Sequence, residues 1–254
     1  MGELPAPLNG PARDAGERVD QPLISVPLCT YNGSAYLHEQ LQSILTQDHS
    51  RLEVIAVDDR SGDDTVAILR AYADQDSRVR VVENAVNLGP NRNFEQALRL
   101  CRGEFIAPAD QDDIWAADKL TTLLEVIGGA TMAFCDSELV DAVGTPLHTA
   151  VSQQLRLGDI DDPAPFVFSN CVSGHAMLFR RELLQHALPV PAGLFYDWWL
   201  AAIAAGLAGI AYTDRKLVRY RQHSASVTDL MHARRRPLEP RPAGRQLRRR
   251  RAKS

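Results

Sequence analysis

Four short apolar runs of β type, separated by segments of helical period, occupy the first half of this chain, and that alternation restricts it to parallel βαβ units. The runs are Leu23–Cys29, Leu52–Val57, Val79–Val82 and Glu104–Ala107. Between them Leu37, Leu41, Ile44 and Leu45 recur at helical spacing, as do Val66, Ile68, Leu69 and Tyr72 after a Ser61–Asp64 start that resembles a capping box. Phe94, Ala97, Leu98 and Cys101 repeat the pattern, and Leu120, Leu123, Leu124 and Ile127 repeat it again. The second half is less regular and reads as α+β. Thr131–Asp136, Phe166–Cys171, Ala176–Phe179, Gly209–Thr213 and Lys216–Tyr220 are expected strands, Gly144 and Pro146 mark a turn, and Asp197 is expected to open an Ala-rich helix.

A chain of 254 residues, 45% hydrophobic and 24% charged, has enough apolar surface to bury one globular core. No run of eighteen apolar residues exists to cross a membrane, and the N-terminus lacks the basic start and apolar stretch of a signal peptide, so a cytoplasmic protein is expected. Cys29, Cys101, Cys135 and Cys171 stand apart without metal-type spacing and read as reduced, buried thiols. The formal net charge of −4 hides a strong asymmetry. Nine Arg and one Lys face a single Glu in residues 232–254, leaving 18 basic against 31 acidic residues, net −13, in residues 1–231. The expected organisation is therefore a loose Pro/Gly/Ala-rich segment at 1–20, one domain at 21–230, and a basic tail at 231–254 too polar to fold by burial.

Parallel sheets gather ligands at the carboxyl ends of their strands. Those ends read Cys29-Thr30-Tyr31-Asn32, then Asp58-Asp59, then Asn87-Leu88-Gly89, then Asp110-Gln111-Asp112-Asp113. So many carboxylates on one edge repel one another unless a cation sits among them, and oxygen ligands favour Mg or Mn. A divalent ion in an acidic pocket suits a ligand that carries phosphate. Blander readings stand beside this one: Asp58–Gly62 as a turn and helix cap, and Asn87–Gly89 as a turn with glycine at positive φ.

The ordered set Ile24–Gly33, the Leu41/Ser43/Ile44/Gln47 helix, Glu53–Thr65, Asn87–Gly89, Gly103–Ile106 and Asp110–Trp115 resembles the family 2 inverting glycosyltransferases of GT-A fold, from about Leu23 to Thr228. The resemblance implies an α/β fold with a Rossmann-like nucleotide-binding half, a mixed central sheet and an α+β acceptor half. It implies that Cys29, Thr30, Tyr31, Asn32, Asp58 and Asp59 hold the donor's base and ribose. Asp110 and Gln111 of the DxD motif would lie near the ribose, Asp112 would ligate the metal, and Arg92 and Asn93 would contact phosphate or ribose, although Asn93 also fits a helix cap. Gly174 and His175 resemble the strand that lines donor and acceptor, Trp198 an acceptor platform or a core residue, and His223 a late metal or diphosphate ligand. Tyr196-Asp197 stands where the family has two acidic residues, so the general-base role falls to Asp197 alone, which also fits a plain helix cap. The implied partners are a nucleotide-sugar donor, UDP- or dTDP-linked by preference, and a glycan or lipid-linked acceptor. The Asp-Gln-Asp-Asp-Ile-Trp wording leans towards rhamnosyltransferase-like members that build surface polysaccharide or O-antigen.

Two rivals are weighed against this. A metal-dependent nucleotidyltransferase or hydrolase would also collect aspartates, but GxxxxGK[ST], GxGxxG and an aspartyl-nucleophile motif are missing from the sequence. A nucleotide-sugar-binding module without catalysis is the other. The Arg-rich tail has no interleaved aromatics and accompanies no recognition fold, which argues against nucleic acid; its charge suits peripheral contact with the inner face of an anionic membrane, and a solvated tail without function fits it equally well.

Overall fold

The computed structural model describes residues 21–223; the segment 1–20 and the basic tail 231–254, as well as the last residues of the expected domain, lie outside them. In chain order the elements are β1 (Ile24–Thr30), α1 (Leu37–Leu45), β2 (Leu52–Asp58), α2 (Thr65–Gln75), β3 (Val79–Glu83), α3 (Pro90–Leu100), β4 (Phe105–Ile106), β5 (Ile114–Trp115) and α4 (Lys119–Ile127). Then follow β6 (Met132–Val140), β7 (Pro146–Ala150), β8 (Met177–Arg180), α5 (Leu184–Ala187), α6 (Tyr196–Ala205) and β9 (Ile210–Arg221). They form one mixed sheet in the order β3-β2-β1-β4-β8-β6-β9-β5, with β7 paired to β6. The β3-β2-β1-β4 block is parallel, β8 is antiparallel to both β4 and β6, and β6 and β9 are parallel.

Period-two alternation supplies a core on each face of the sheet. Ile24, Val26 and Leu28 of β1 and Val54 and Ala56 of β2 pack with Leu37, Leu41 and Ile44 of α1 and Leu120 and Leu123 of α4. Ile55 and Val57 face the other way, against Phe94, Ala97 and Leu98 of α3, in one cluster with Leu200, Ala201 and Ala204 of α6. Each fully buried Leu or Ile contributes about 1.5–3 kcal/mol. The fold is thus held on both faces of the strands whose ends form the site. All four cysteines are free thiols, Cys101 and Cys135 buried and the other two partly so.

The structure departs from the sequence reading in four places, three of them in the second half. Phe166–Cys171 is not a strand: Pro163 and Pro165 set up a 3-10 turn over Ala164–Val167, Phe166 alone is buried, and Val167 and Phe168 stand exposed. Gly209–Thr213 and Lys216–Tyr220 belong to one strand, β9, whose register against β6 jumps at Asp214-Arg215. The last helix starts at Tyr196 after Phe195, so Asp197 lies inside its first turn rather than capping it. Ser61 does not cap α2; its hydroxyl turns back to Asp58. The two-residue β5 and the hairpin strand β7 carry too little pattern to be read in advance.

Candidate active site

Register brings the strand ends level. Thr30 pairs with Asp58, Asp58 with Glu83, and Leu28 bridges Ala109, so the chain reaches Asp110 beside the end of β1. Thr30 Oγ1 donates to Asp58 Oδ1 (2.9 Å), which also accepts the Ser61 hydroxyl (2.6 Å), while Ser61 N–H donates to Oδ2 (2.8 Å). Asn32, at φ 48°, donates its N–H to Ser61 Oγ and accepts the Gly62 N–H. The Asp59 carboxylate accepts the N–H groups of Leu88 (2.7 Å) and Gly89 (2.8 Å) and the Asn84 amide (2.9 Å). Asn93 is buried and spans Val57 O and Asn84, while Gly89, at φ 79°, caps α3. Asp58, Asp59 and Asn93 therefore brace the loops that follow β1, β2 and β3. Tyr31 is half exposed, and Arg92 is exposed on the first turn of α3.

The acidic loop between β4 and β5 is fastened from both sides. The Gln111 side chain donates to Tyr31 O (3.1 Å) and accepts Tyr31 N–H (2.8 Å), so the middle residue of the DxD sequence joins this loop to the end of β1. A Cβ at Gly33 would collide with that amide. From the opposite side, buried Arg221 donates its backbone N–H to Asp113 Oδ1 (3.0 Å) and its Nε to Asp112 O (2.8 Å). His223 Nε2 lies 2.9 Å from Asp112 Oδ2, and its ring packs on Tyr36 (centroids 4.9 Å apart). His175 is buried, with Nε2 on the Ser137 hydroxyl (3.1 Å) and Nδ1 3.8 Å from carboxylate oxygens of both Asp110 and Asp113. Beneath them Lys119 is fully buried, donating to His175 O (2.6 Å) over the Trp115 ring.

Electrostatics here are those of a site prepared for a cation. Burial first, then neighbouring aspartates, push Asp112 and Asp113 above the usual carboxylate range, against the pull of His223 and His175. Burial pulls Lys119 down. Burial also disfavours a charged His175, but Asp113 and Asp110 outweigh it and the net shift is upward. One oxygen of Asp113, Oδ2, is buried without a hydrogen-bond partner. Ligand atoms of Asp110, Asp113 and His175 all lie within 4.8 Å of one another. Two carboxylates, one of them with the orphaned oxygen, and an imidazole suit a divalent metal ion. Asp112 and His223, expected from the resemblance to hold the metal, form a pair beside this group.

Asp197 projects from the first turn of α6. Its carboxylate accepts the N–H groups of Trp198 (2.7 Å) and Gly174. Burial, chiefly, raises its pKa to about 6; the two N–H groups oppose the shift and Asp110 adds to it. The charges of Asp110 and Asp59 both act on Cys29, and that of Asp110 acts on Asp197. Trp198 Nε1 donates to Phe166 O and Trp199 Nε1 to Ala187 O, committing both indole donors to the scaffold. The sequence reading missed Lys119 and Arg221. Each looks like an ordinary surface cation on a helix start or strand end, and only long-range packing buries it.

The comparison with known families decides between the readings: a family model described as Glycosyl transferase family 2 matches residues 25–188. This chain belongs to glycosyl transferase family 2. The matched part includes Cys29–Asn32, the acidic loop and Gly174-His175, whereas Asp197 and His223 lie beyond it. Among relatives of this glycosyltransferase is the putative teichuronic acid biosynthesis glycosyltransferase TuaG of Bacillus subtilis, 30% identical over 211 residues that span 82% of each chain. Its fold resembles that of S. aureus TarS 1-349 in complex with UDP-GlcNAc, with TM-score 0.64 and 22% identity over 80% of this chain and 59% of that one. It also resembles the mannosyltransferase PcManGT from Pyrobaculum calidifontis in complex with GDP-Man and Mn2+, with TM-score 0.56 and 21% identity over 77% of this chain and 56% of that one. The chain thus spans less than two thirds of either solved protein, and the shared architecture is the GT-A fold. Among the described residues no helix is long and apolar enough to cross a membrane.

Proposed function

We propose that this family 2 glycosyltransferase moves a sugar from a nucleoside diphosphate sugar, UDP- or dTDP-linked by preference, to a hydroxyl of a glycan or lipid-linked acceptor, with inversion. The observation that supports the reading is Asp197: a buried carboxylate in the first turn of α6, near enough to Asp110 to feel its charge. A sugar hydroxyl is a weak nucleophile, and a carboxylate within reach takes its proton as attack proceeds. The acceptor oxygen forms its bond to the anomeric carbon while the bond from that carbon to the diphosphate oxygen breaks. The proton passes to Asp197, and the nucleoside diphosphate leaves with the electron pair. Attack opposite the leaving group inverts the anomeric centre without a covalent enzyme intermediate. The loops of Cys29–Asn32, Asp58 and Asp59 would seat the base and ribose. Asp110, Asp113 and His175, with Asp112 and His223 alongside, would hold a Mg or Mn ion, which when bound stabilises charge developing on the leaving diphosphate. The nucleotide-sugars bound in TarS and PcManGT support the donor class, and the biosynthetic role named for TuaG supports a place in surface-polysaccharide assembly; its O-antigen or rhamnosyl type rests on the Asp110–Trp115 wording alone. Residues 231–254 add peripheral contact with the membrane's inner face.

The test is release of nucleoside diphosphate from a panel of UDP-, dTDP- and GDP-sugars, with Mn or Mg and with a chelator. The native protein is expected to turn over at least one donor only when metal is present. Asp197→Asn is expected to lose roughly 100-fold or more while still binding the free nucleotide. Turnover unaffected by the substitution would remove the base assignment, and binding without any turnover would reduce the protein to a nucleotide-sugar-binding module.

A further inference from the structure

Tyr196 begins α6 one residue ahead of Asp197, and packing fixes where its side chain points. The ring stacks on Phe94, with centroids 4.0 Å apart and 19° between planes, and only 7% of the residue is exposed. The phenol oxygen lies against Gly174, where any Cβ would collide with it. Gly174 also gives its N–H to Asp197, so phenol and carboxylate reach the same residue from adjacent helix positions. Burial, followed by the charges of Asp110, Asp197, Cys29 and Asp113, holds the phenol well above its ordinary pKa. It therefore stays an O–H donor throughout the neutral range. Among the described residues that hydroxyl has no hydrogen-bond partner. The oxygen is not one of the buried polar atoms left without a partner, so on an otherwise buried ring it is the tip that stays open to solvent, and a donor held in place by ring packing is suited to an oxygen that arrives from outside.

The position of the gap limits what that oxygen can be. The hydroxyl feels the charges both of Asp197, the group read as base, and of Asp110 and Asp113 in the loop read as the diphosphate end. In a direct displacement the transferred sugar lies between those two. We propose that Tyr196 is a specificity-determining residue whose hydroxyl donates a hydrogen bond to an oxygen of the transferred sugar, rather than to the nucleotide or the acceptor. This rests on the glycosyl-transfer reading above. It also gives a role to the position where the family has an acidic residue: a neutral donor replaces a charged acceptor, which changes the sugar oxygen pattern the site prefers.

Tyr196→Phe tests this, because it keeps the ring and the Phe94 stack and removes only the hydroxyl. Calorimetry without acceptor, using UDP-, dTDP- and GDP-sugars and the matching nucleoside diphosphates, compares the two proteins. The expected result is unchanged affinity for the diphosphates, roughly tenfold weaker affinity for the cognate nucleotide-sugar, and urea stability equal to that of the native protein, since no protein partner is lost. Equal affinity for the nucleotide-sugar would overturn the proposal, as would an equal loss for the diphosphate, or an effect confined to the acceptor KM. A fall in stability with unchanged ligand affinity would make Tyr196 structural and overturn it as well. A native protein that binds diphosphates but no nucleotide-sugar would overturn the transfer reading itself, and this inference with it.

Discussion

Asp197 carries two opposed demands. A general base must be charged to take a proton, yet burial favours the neutral form and raises the pKa to about 6. If this carboxylate is the base, kcat/KM rises about tenfold per pH unit below that value and levels above it. The same shift has a consequence for stability. An unfolded aspartate titrates near 3.9, so the native state binds this proton more tightly than the unfolded one. The contribution of Asp197 to stability is then complete below about pH 4 and is lost as pH rises through 6. Asp197→Asn, which cannot ionise, is expected to stabilise the metal-free protein at pH 8 by up to about 2–3 kcal/mol and to leave it little changed at pH 4. Urea unfolding at the two pH values checks this. Destabilisation at both would show that the carboxylate serves chiefly to hold the N–H groups of Gly174 and Trp198.

At the scale of elements, the last strand is fastened to the acidic loop by one side chain. Arg221 bonds Glu39 of α1 (2.6 Å), Ala142 O (2.9 Å) and Asp112 O, and its guanidinium lies over the Tyr36 ring. Truncation to alanine strands two carbonyls and empties a buried volume, so Arg221→Ala is expected to cost about 2–4 kcal/mol. Glu39→Gln removes only the exposed end of the pair and is expected to cost under about 1 kcal/mol. The urea midpoints of the two variants check the order, and equal losses would place the clamp at Glu39 instead. This device was not legible in the sequence, although β1, β2, β3 and α1 to α4 were, because local periodicity specifies them. Parallel register then carried Asp58, Asp59 and Asp110–Asp113 to one edge, which the strand-end rule anticipates. Periodicity failed where composition imitated it, as at Phe166–Cys171 after two prolines, and where a bulge at Asp214-Arg215 looked like a turn. Lys119, Arg221 and the direction of Tyr196 depend on contacts between residues far apart in sequence, which no local pattern encodes.

Over the whole molecule the charge is divided sharply. Residues 1–231 carry −13 and residues 232–254 carry +9 by formal count, so an anionic surface repels the body and attracts the tail. The described chain ends at His223, beside Asp112. Each Lys or Arg close to an anionic leaflet contributes about 1 kcal/mol, and ten of them suffice for firm binding even when only some engage at once. Screening sets the condition: the Debye length falls from about 10 Å at 0.1 M salt to about 3 Å at 1 M. The full chain is expected to sediment with phosphatidylglycerol-rich vesicles at low salt, to be released at high salt, and to ignore phosphatidylcholine vesicles. Truncation after Met231 is expected to abolish sedimentation while leaving turnover of free donor unchanged. Binding that survives truncation would transfer the membrane contact to the apolar residues exposed around α6, Val167, Phe168 and Phe195 among them, because a body of net −13 has no electrostatic means of holding an anionic surface.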